Sequence, residues 1–231
     1  QIDSDLKHSS LYSALFSIEK ANESQTTSSQ SKVNSDKVNT DWQLKLSERF
    51  LSEFPKSEHL NEVRFKTAFL YYTEKQHAPS IKHLQLLFSR KQTPEIHTRS
   101  QDIYLDILNT QKDYVTILKT CSKWIPEETN STRVQQLKKI ASEADYTLTE
   151  QKLKNMPPEK QIEILTQYAD QNKETDLSQT ALWRALSIAN LNKMDVEAAK
   201  LAIEYYNRYP NDTKNQDSLK DTFKTYYELG L

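Results

Sequence analysis

Residues 62–88 read EVRFKTAFLYYTEKQHAPSIKHLQLLF, and the spacing of this stretch decides the fold. Its apolar side chains recur at steps of three, four and seven, the period of one helix face, and nothing in it alternates as a half-buried strand does. The run is interrupted by a short polar turn at 74–77 (EKQH). Two helices, over 58–75 and 79–91, are therefore predicted, and so short a connection makes them antiparallel neighbours.

The same spacing continues in both directions. Trp42, Leu46, Phe50 and Phe54 step by four and stop at Pro55; Leu84, Leu87 and Phe88 precede Pro94. Ile117, Leu118, Cys121 and Ile125 precede Pro126, and Ala198, Leu201, Ala202 and Tyr205 precede Pro210. Proline lacks the N–H that a helix interior needs and clashes with the preceding turn, so each run is expected to end at its proline. Polar N-cap candidates follow: Ser57 or Glu58, Thr98, 130–132, Asp176 and 211–213. Eleven helices result, near 3–21, 41–54, 58–75, 79–91, 97–111, 113–125, 132–148, 158–171, 176–192, 194–209 and 214–229. Two segments break the rhythm. Residues 22–40 (NESQTTSSQSKVNSDKVNT) carry valine as their one apolar type after Ala21 and read as a long exposed connection, and 149–157 reads as an irregular bridge.

Composition removes many alternatives. The chain of 231 residues holds one glycine, Gly230, where an average chain of this length has about 16. Phosphate-cradling loops, dinucleotide turns and nucleophile elbows all rely on glycine, which tolerates positive φ, so most enzyme architectures are disfavoured. Hydrophobic content of 36% with a mean hydropathy of −0.81 is low for one large globular core, while 10% aromatic is high for disorder. Thin, two-layer burial fits both values. The 31 basic and 32 acidic residues leave a net charge of −1, without the cationic surplus that holds a nucleic-acid backbone. No stretch reaches the ~20 apolar residues of a membrane span. The chain opens on Gln1, not Met, which points to a processed or shortened protein.

A fixed period organises the helices. Short polar turns at 74–77 (EKQH), 111–114 (QKDY) and 192–195 (NKMD), and the pair Leu229 and Gly230, mark the inside of successive helix pairs. The first two markers are 37 residues apart, the last two again 37, and the 81 between them leaves room for one irregular repeat turning near Gln151.

These residues resemble the tetratricopeptide repeat family of helix-turn-helix units. The stretch 62–88 lies over that pattern without a gap: Ala68 at the small position where two helices approach, Tyr71 and Tyr72 on the aromatic pair, Phe88 on the closing apolar position. VEAAKLAIEYYNRYPND and YYELG repeat second-helix and first-helix signatures. Ser80 and Ile117 depart from the small residue usual in the second helix, and the pair at 132–171 matches weakly. The aromatic-Pro of FPKSEHLNEVRFKTAFLYY is also similar to repeats of bacterial cell-envelope proteins, such as outer-membrane assembly lipoproteins. The resemblance implies an all-α, right-handed superhelix of antiparallel hairpins forming a single repeat domain over 1–231. Residues 1–40 would be an irregular N-terminal helix and polar loop, 41–231 the repeats, and the whole a fragment of a longer protein.

With first-type helices lining a concave side, as the resemblance implies, Phe65, Phe69 and Tyr72 face a groove, joined by Arg99, Asp102, Asp106 and Asn109 of the next repeat. Aromatic anchors beside fixed polar groups suit a protein or peptide partner. The alternative is that the three aromatics pack between stacked repeats, and near-complete burial of both Phe69 and Tyr72 would remove the groove. Tyr205-Tyr206 and Tyr226-Tyr227 read as packing residues. Catalytic, cofactor and metal sites are not expected. The five histidines never fall at i,i+4, and Cys121 stands alone as a small apolar helix residue. Asn22, Asn130 and Asn211 start N-x-S/T triplets, for which capping is a simpler account than glycosylation.

The expected function is a non-catalytic scaffold or adaptor, in the periplasm or envelope of a bacterium, with the cytoplasm as the alternative. Two other classes stay open: the helical accessory region of a larger enzyme, for example one acting on the cell wall, and an RNA-binding repeat. The mixed signs of the groove positions speak against the last.

Overall fold

The computed structural model describes residues 2–24, 32–173, 175–213 and 215–230. Among these the chain is all-helical: α1 (Ile2–Ser24), α2 (Lys32–Glu53), α3 (Leu60–Thr73), α4 (His77–Phe88), α5 (Pro94–Thr110), α6 (Tyr114–Glu127), α7 (Ser131–Leu153), α8 (Pro158–Gln171), α9 (Asp176–Leu191), α10 (Asp195–Arg208) and α11 (Gln216–Leu229). The chain divides into two compact units, Gln1–Lys112 and Asp113–Leu231.

In the first unit α1 packs on α2, α2 on α3 and α3 on α4, while α5 meets both α4 and α3. Its N-terminal core gathers Leu11, Leu15, Phe50, Leu51, Leu60 and Val63, with Tyr12, Leu46 and Phe54 against it. In the second unit α6 packs on α7, and α8 on α9, which also meets α7 and α10; α11 lies on α10. Its core is thin and rich in alanine: Ala169, Ala181, Ala185, Ala189, Ala198 and Ala202 let helix backbones approach closely around Leu165, Leu182, Leu186, Leu201 and Tyr205.

Four turns repeat one geometry. Lys75, Lys112, Lys193 and Gly230 have φ of +58°, +58°, +56° and +70°, and they are the second residues of the four marker turns. Each donates its N–H to the carbonyl three residues back, on Tyr72, Asn109, Asn190 and Tyr227, at 2.9–3.2 Å. At Lys75, Lys112 and Lys193 the left-handed residue closes one helix and redirects the chain into the next, and Gly230 closes α11 in the same way. Three of these turns use lysine, which pays about 1 kcal/mol for the clash of its Cβ where glycine would be free.

Serines make close helix approach possible where a smaller residue is usual. Ser80 is fully buried and its Oγ donates to the Ala68 carbonyl at 2.8 Å, bridging α4 to α3. Ser178 does the same from α9 to Ala169 of α8, at 2.7 Å.

One local motif occurs in both units. Phe50 and Tyr205 are fully buried, and each is followed four residues later by an aromatic-Pro pair, Phe54-Pro55 and Tyr209-Pro210. The backbone bonds match: Phe54 N–H to Phe50 O at 2.9 Å and Ser57 to Phe54 at 3.1 Å, against Tyr209 to Tyr205 at 2.8 Å and Asp212 to Tyr209 at 3.1 Å.

Several expectations need correction. α2 begins at Lys32, so 32–40 is helix and not connection; residues 25–31 of that segment lie outside the described residues. α7 runs on to Leu153, which is buried in the second core, so the turn expected near Gln151 falls at 154–157. Pro94 starts α5 at its first helical position, where a missing N–H is harmless, and Thr93 rather than Thr98 caps it, accepting from Ile96 N–H at 3.3 Å. α3 begins after His59, whose N–H bonds Ser57 Oγ at 3.1 Å. Thr175, not Asp176, holds the cap position of α9. Trp42 is exposed with Lys45 over its ring, so it lies off the buried face of α2, which takes in Leu44, Ser47, Phe50 and Leu51. Tyr206 and Tyr227 are exposed rather than packed, and the Tyr226 side chain lies outside the described residues.

Asn130 caps α7 by accepting from Arg133 N–H at 3.1 Å, as expected. Asn211 does not cap α11, which starts at Gln216; the neighbouring Asp212 is held instead by the Tyr205 hydroxyl and by Asn215. The Asn22 side chain lies outside the described residues. Cys121 is fully buried, and burial pushes its thiol up to about 11.

Candidate partner-binding surface

Two parallel rows of side chains meet where α5 lies against α3 in the first unit. α3 contributes Phe65, Phe69 and Tyr72 at helical spacing, and α5 contributes Arg99, Asp102, Asp106 and Asn109. The steps of three and four put each set on one face of its helix. α5 is held in place by its other face, where Ile103, Tyr104, Ile107 and Leu108 are buried.

Phe65 is only 6% exposed, and the Arg99 guanidinium lies 4.9 Å from its ring centroid. Phe65 is therefore a packing residue that offers its outer face through a cation lid. Such a contact contributes roughly 0.5–1 kcal/mol at an exposed site. Arg99 also reaches Glu95 one turn away, at 3.5 Å. Phe69 is 39% exposed, with its ring 6.3 Å from that of Tyr72 at an angle of 39°. Tyr72 is half-buried, and its hydroxyl donates to Asp106 Oδ2 at 2.7 Å. That hydrogen bond, then burial, raises the Tyr72 pKa, so the phenol stays a neutral donor at physiological pH. Asp102 and Asn109 are exposed beside them.

The structure thus brings all seven candidate residues onto adjoining faces. Phe69 and Tyr72 are not both buried, so the condition that would have removed the surface is not met. Phe69, Tyr72, Asp106, Asp102 and Arg99 are reachable from solvent, and Phe65 is reached only past Arg99. Glu95 was not among the residues singled out, although its i,i+4 spacing to Arg99 is a readable pairing signal.

Elsewhere in the first unit a polar clamp holds α2 to the α3–α4 hairpin. Glu48 Oε1 accepts from the Tyr71 hydroxyl and from His83 Nε2, both at 2.9 Å, and the two rings stack 5.7 Å apart. Burial, followed by the Glu48 hydrogen bond, raises Tyr71 to about 12. Burial lowers the His83 pKa, with Glu48 opposing it. The shared carboxylate joins residues 35 positions apart in the chain.

A second concave region belongs to the other unit. Glu159, Glu163 and Asp170 of α8, with Met194 and Glu197, line an open acidic groove of about 630 Å³. Lys160 pairs with Glu163, and Arg208 with Asp170. Among the described residues no three His, Cys, Asp or Glu side chains converge as a metal site would require, and no helix is long and apolar enough to cross a membrane.

Comparison with protein-family models, with curated proteins and with solved structures finds no match for this chain.

Proposed function

We propose that this protein is a non-catalytic scaffold that docks an extended segment or helix of another protein against the α3–α5 surface. The exposed Phe69 ring carries the reading. It stands beside Tyr72, whose hydroxyl Asp106 fixes in direction, so an apolar anchor and oriented polar groups sit within one patch. Aromatic side chains with few rotatable bonds bind at low entropic cost, and flanking polar groups set register. The carboxylates of Glu95, Asp102 and Asp106 outnumber the one guanidinium of Arg99, which favours a partner segment with basic side chains next to its apolar residue.

The architecture proposed for this work is a right-handed tetratricopeptide-like superhelix. Support comes from the repeated left-handed turns at Lys75, Lys112, Lys193 and Gly230, and from helices that meet the next but one: α3 with α5, and α7 with α9. Placement in a bacterial cell envelope is part of the same proposal, supported by the aromatic-Pro motif at both 54–55 and 209–210.

The test is site-specific photo-crosslinking in the source cells. A benzophenone side chain at position 69 or 102 should trap one discrete partner, and Asp106→Ala should reduce the yield several-fold. A label at exposed Lys119 serves as the control. Equal labelling from all three positions would sink the reading, as would catalytic turnover by the purified protein.

A further inference from the structure

A second face of α3 carries a buried cation that no carboxylate neutralises. Arg64, Ala68 and Tyr71 follow one another at steps of four and three, on one side of the helix. Ala68 accepts the Ser80 bond from α4 and Tyr71 donates to Glu48 of α2, so this side is turned toward α2 and α4. Arg64 is only 8% exposed. Among the described residues its guanidinium has no hydrogen-bond acceptor and no carboxylate at ion-pair distance. Its Nε is sealed, whereas Nη1 and Nη2 are not, so a stem held within the protein presents the two outer nitrogens to solvent.

The surrounding charges favour an anion. Burial, then the charge of Arg90, lower the Arg64 pKa, and Glu48 opposes them. Arg90 is exposed just past α4 and pairs with no carboxylate among the described residues. Lys82 adds its charge at the neighbouring His83, which burial holds neutral. Against these three cations stands Glu48, whose Oε1 already accepts from the Tyr71 hydroxyl and from His83. The carboxylates that precede Arg64 in the chain are engaged elsewhere: Glu53 with Lys7 and Arg49, Glu62 with Lys66, and Glu58 beside His59. The local surplus is therefore positive, and it centres on a guanidinium that the fold holds still.

We propose that Arg64 and Arg90 form a binding site for a phosphate group, with Lys82 as an outlying charge. A guanidinium donates two parallel N–H bonds to two oxygens of one anion, and a phosphate keeps further oxygens for the second arginine. A carboxylate has two oxygens and a single charge, and so matches two arginines less well. The site uses a different face of α3 from Phe65, Phe69 and Tyr72 and does not rest on the proposed docking surface.

Thermal unfolding and isothermal titration of the full chain with inorganic phosphate test it, at an ionic strength held at ~0.15 M with chloride. A saturable rise of the thermal midpoint is expected, with a dissociation constant of about 1 mM or tighter, as for a ligand bound by the folded state alone. Acetate should bind about tenfold more weakly. Arg64→Lys keeps the charge but loses the fork and should weaken phosphate binding about tenfold. Arg90→Ala should weaken it several-fold, Arg64→Met should abolish it, and Lys139→Ala, an exposed position in the other unit, should leave it unchanged. Phenyl phosphate tells the two sources of the group apart: equal affinity upholds the site for a phosphate ester, and a loss of binding upholds it for the free ion. No saturation by about 20 mM phosphate overturns the proposal. A response that survives in both Arg64 variants, or that acetate reproduces in full, overturns it as well and marks an adventitious ion only.

Discussion

The Tyr72 hydroxyl lies 2.7 Å from the Asp106 carboxylate, a bond that joins α3 to α5 across 34 residues of sequence at the edge of the exposed Phe69 ring. The bond is mostly exposed, so its net contribution to folding is expected to be small, about 0.5–1 kcal/mol. Its value is directional: it fixes one carboxylate oxygen and leaves the other to meet a donor. Tyr72→Phe should therefore lower the thermal midpoint by only about 2–4 °C, since 1 kcal/mol has roughly that effect at this size. Partner crosslinking from position 69 should fall much more steeply. A large loss of stability with unchanged crosslinking would make Tyr72 a purely structural residue.

The left-handed lysines offer a gain. Lys193→Gly relieves the Cβ strain at φ +56° and should raise stability by up to about 1 kcal/mol, measured as a shift in urea midpoint. The same change at Lys200, in the middle of α10, should lower it by about 1 kcal/mol. The opposite signs separate turn strain from the general entropic effect of glycine.

Phe50 and Tyr205 occupy equivalent places in the two aromatic-Pro motifs but have different surroundings. The Tyr205 hydroxyl donates to Asp212 and accepts from Gln179 and Asn215, at 2.9 and 3.1 Å. Burial, then the Asp212 bond, raises its pKa. Tyr205→Phe removes these three bonds while leaving the Asn215–Asp212 bond in place, and should cost about 1 kcal/mol. Phe50 is surrounded by the rings of His8, Tyr12 and Phe54, so Phe50→Tyr introduces a buried hydroxyl and should also destabilise, by a similar amount. Denaturant titration of each variant checks both; a neutral swap at either position would mean the local packing accepts the other residue.

Stability should depend on pH through His83. Its folded pKa is held below the ordinary value of about 6.5 by burial, despite the opposing pull of Glu48, so the unfolded chain binds the proton more readily. The stabilisation is therefore complete above about pH 6.5 and is lost as pH falls through the lower folded value. The urea midpoint is expected to drop between about pH 7 and pH 5, and less so in His83→Gln. A His83 resonance titrating above 6.5 would reverse the sign and show that Glu48 outweighs desolvation.

Much of the architecture was readable because helices announce themselves locally. The periodicity of Leu84, Leu87 and Phe88, and the turns around Lys75, Lys112 and Lys193, involve residues within a few positions of one another. The errors came where local polarity misled. Lys32 and its polar neighbours are helical although they carry few apolar side chains, and the polar Thr149–Lys152 run continues α7 because Leu153 beyond it has a core to enter. Pro94 looked like the end of one helix and is the beginning of the next, since the same missing N–H suits both places. At the candidate surface, spacing puts each set of residues on one face of its helix, while the choice of that face came from the tetratricopeptide resemblance. The lid that Arg99 forms over Phe65 did not, because it depends on how far apart two helices lie.

The sequence by itself determined that the regular elements of this chain are helices and where its short polar turns fall, because hydrogen bonds within a helix and the sterics of a turn depend on near neighbours. Tertiary structure alone decided which aromatics are spent on the core and which remain outside. Phe50 and Tyr205 are sealed while Phe69, Tyr206 and Tyr227 stay exposed, although all five are large apolar rings on helices. Burial is a property of the neighbouring helix as much as of the residue, and no local pattern encodes the distance to that neighbour.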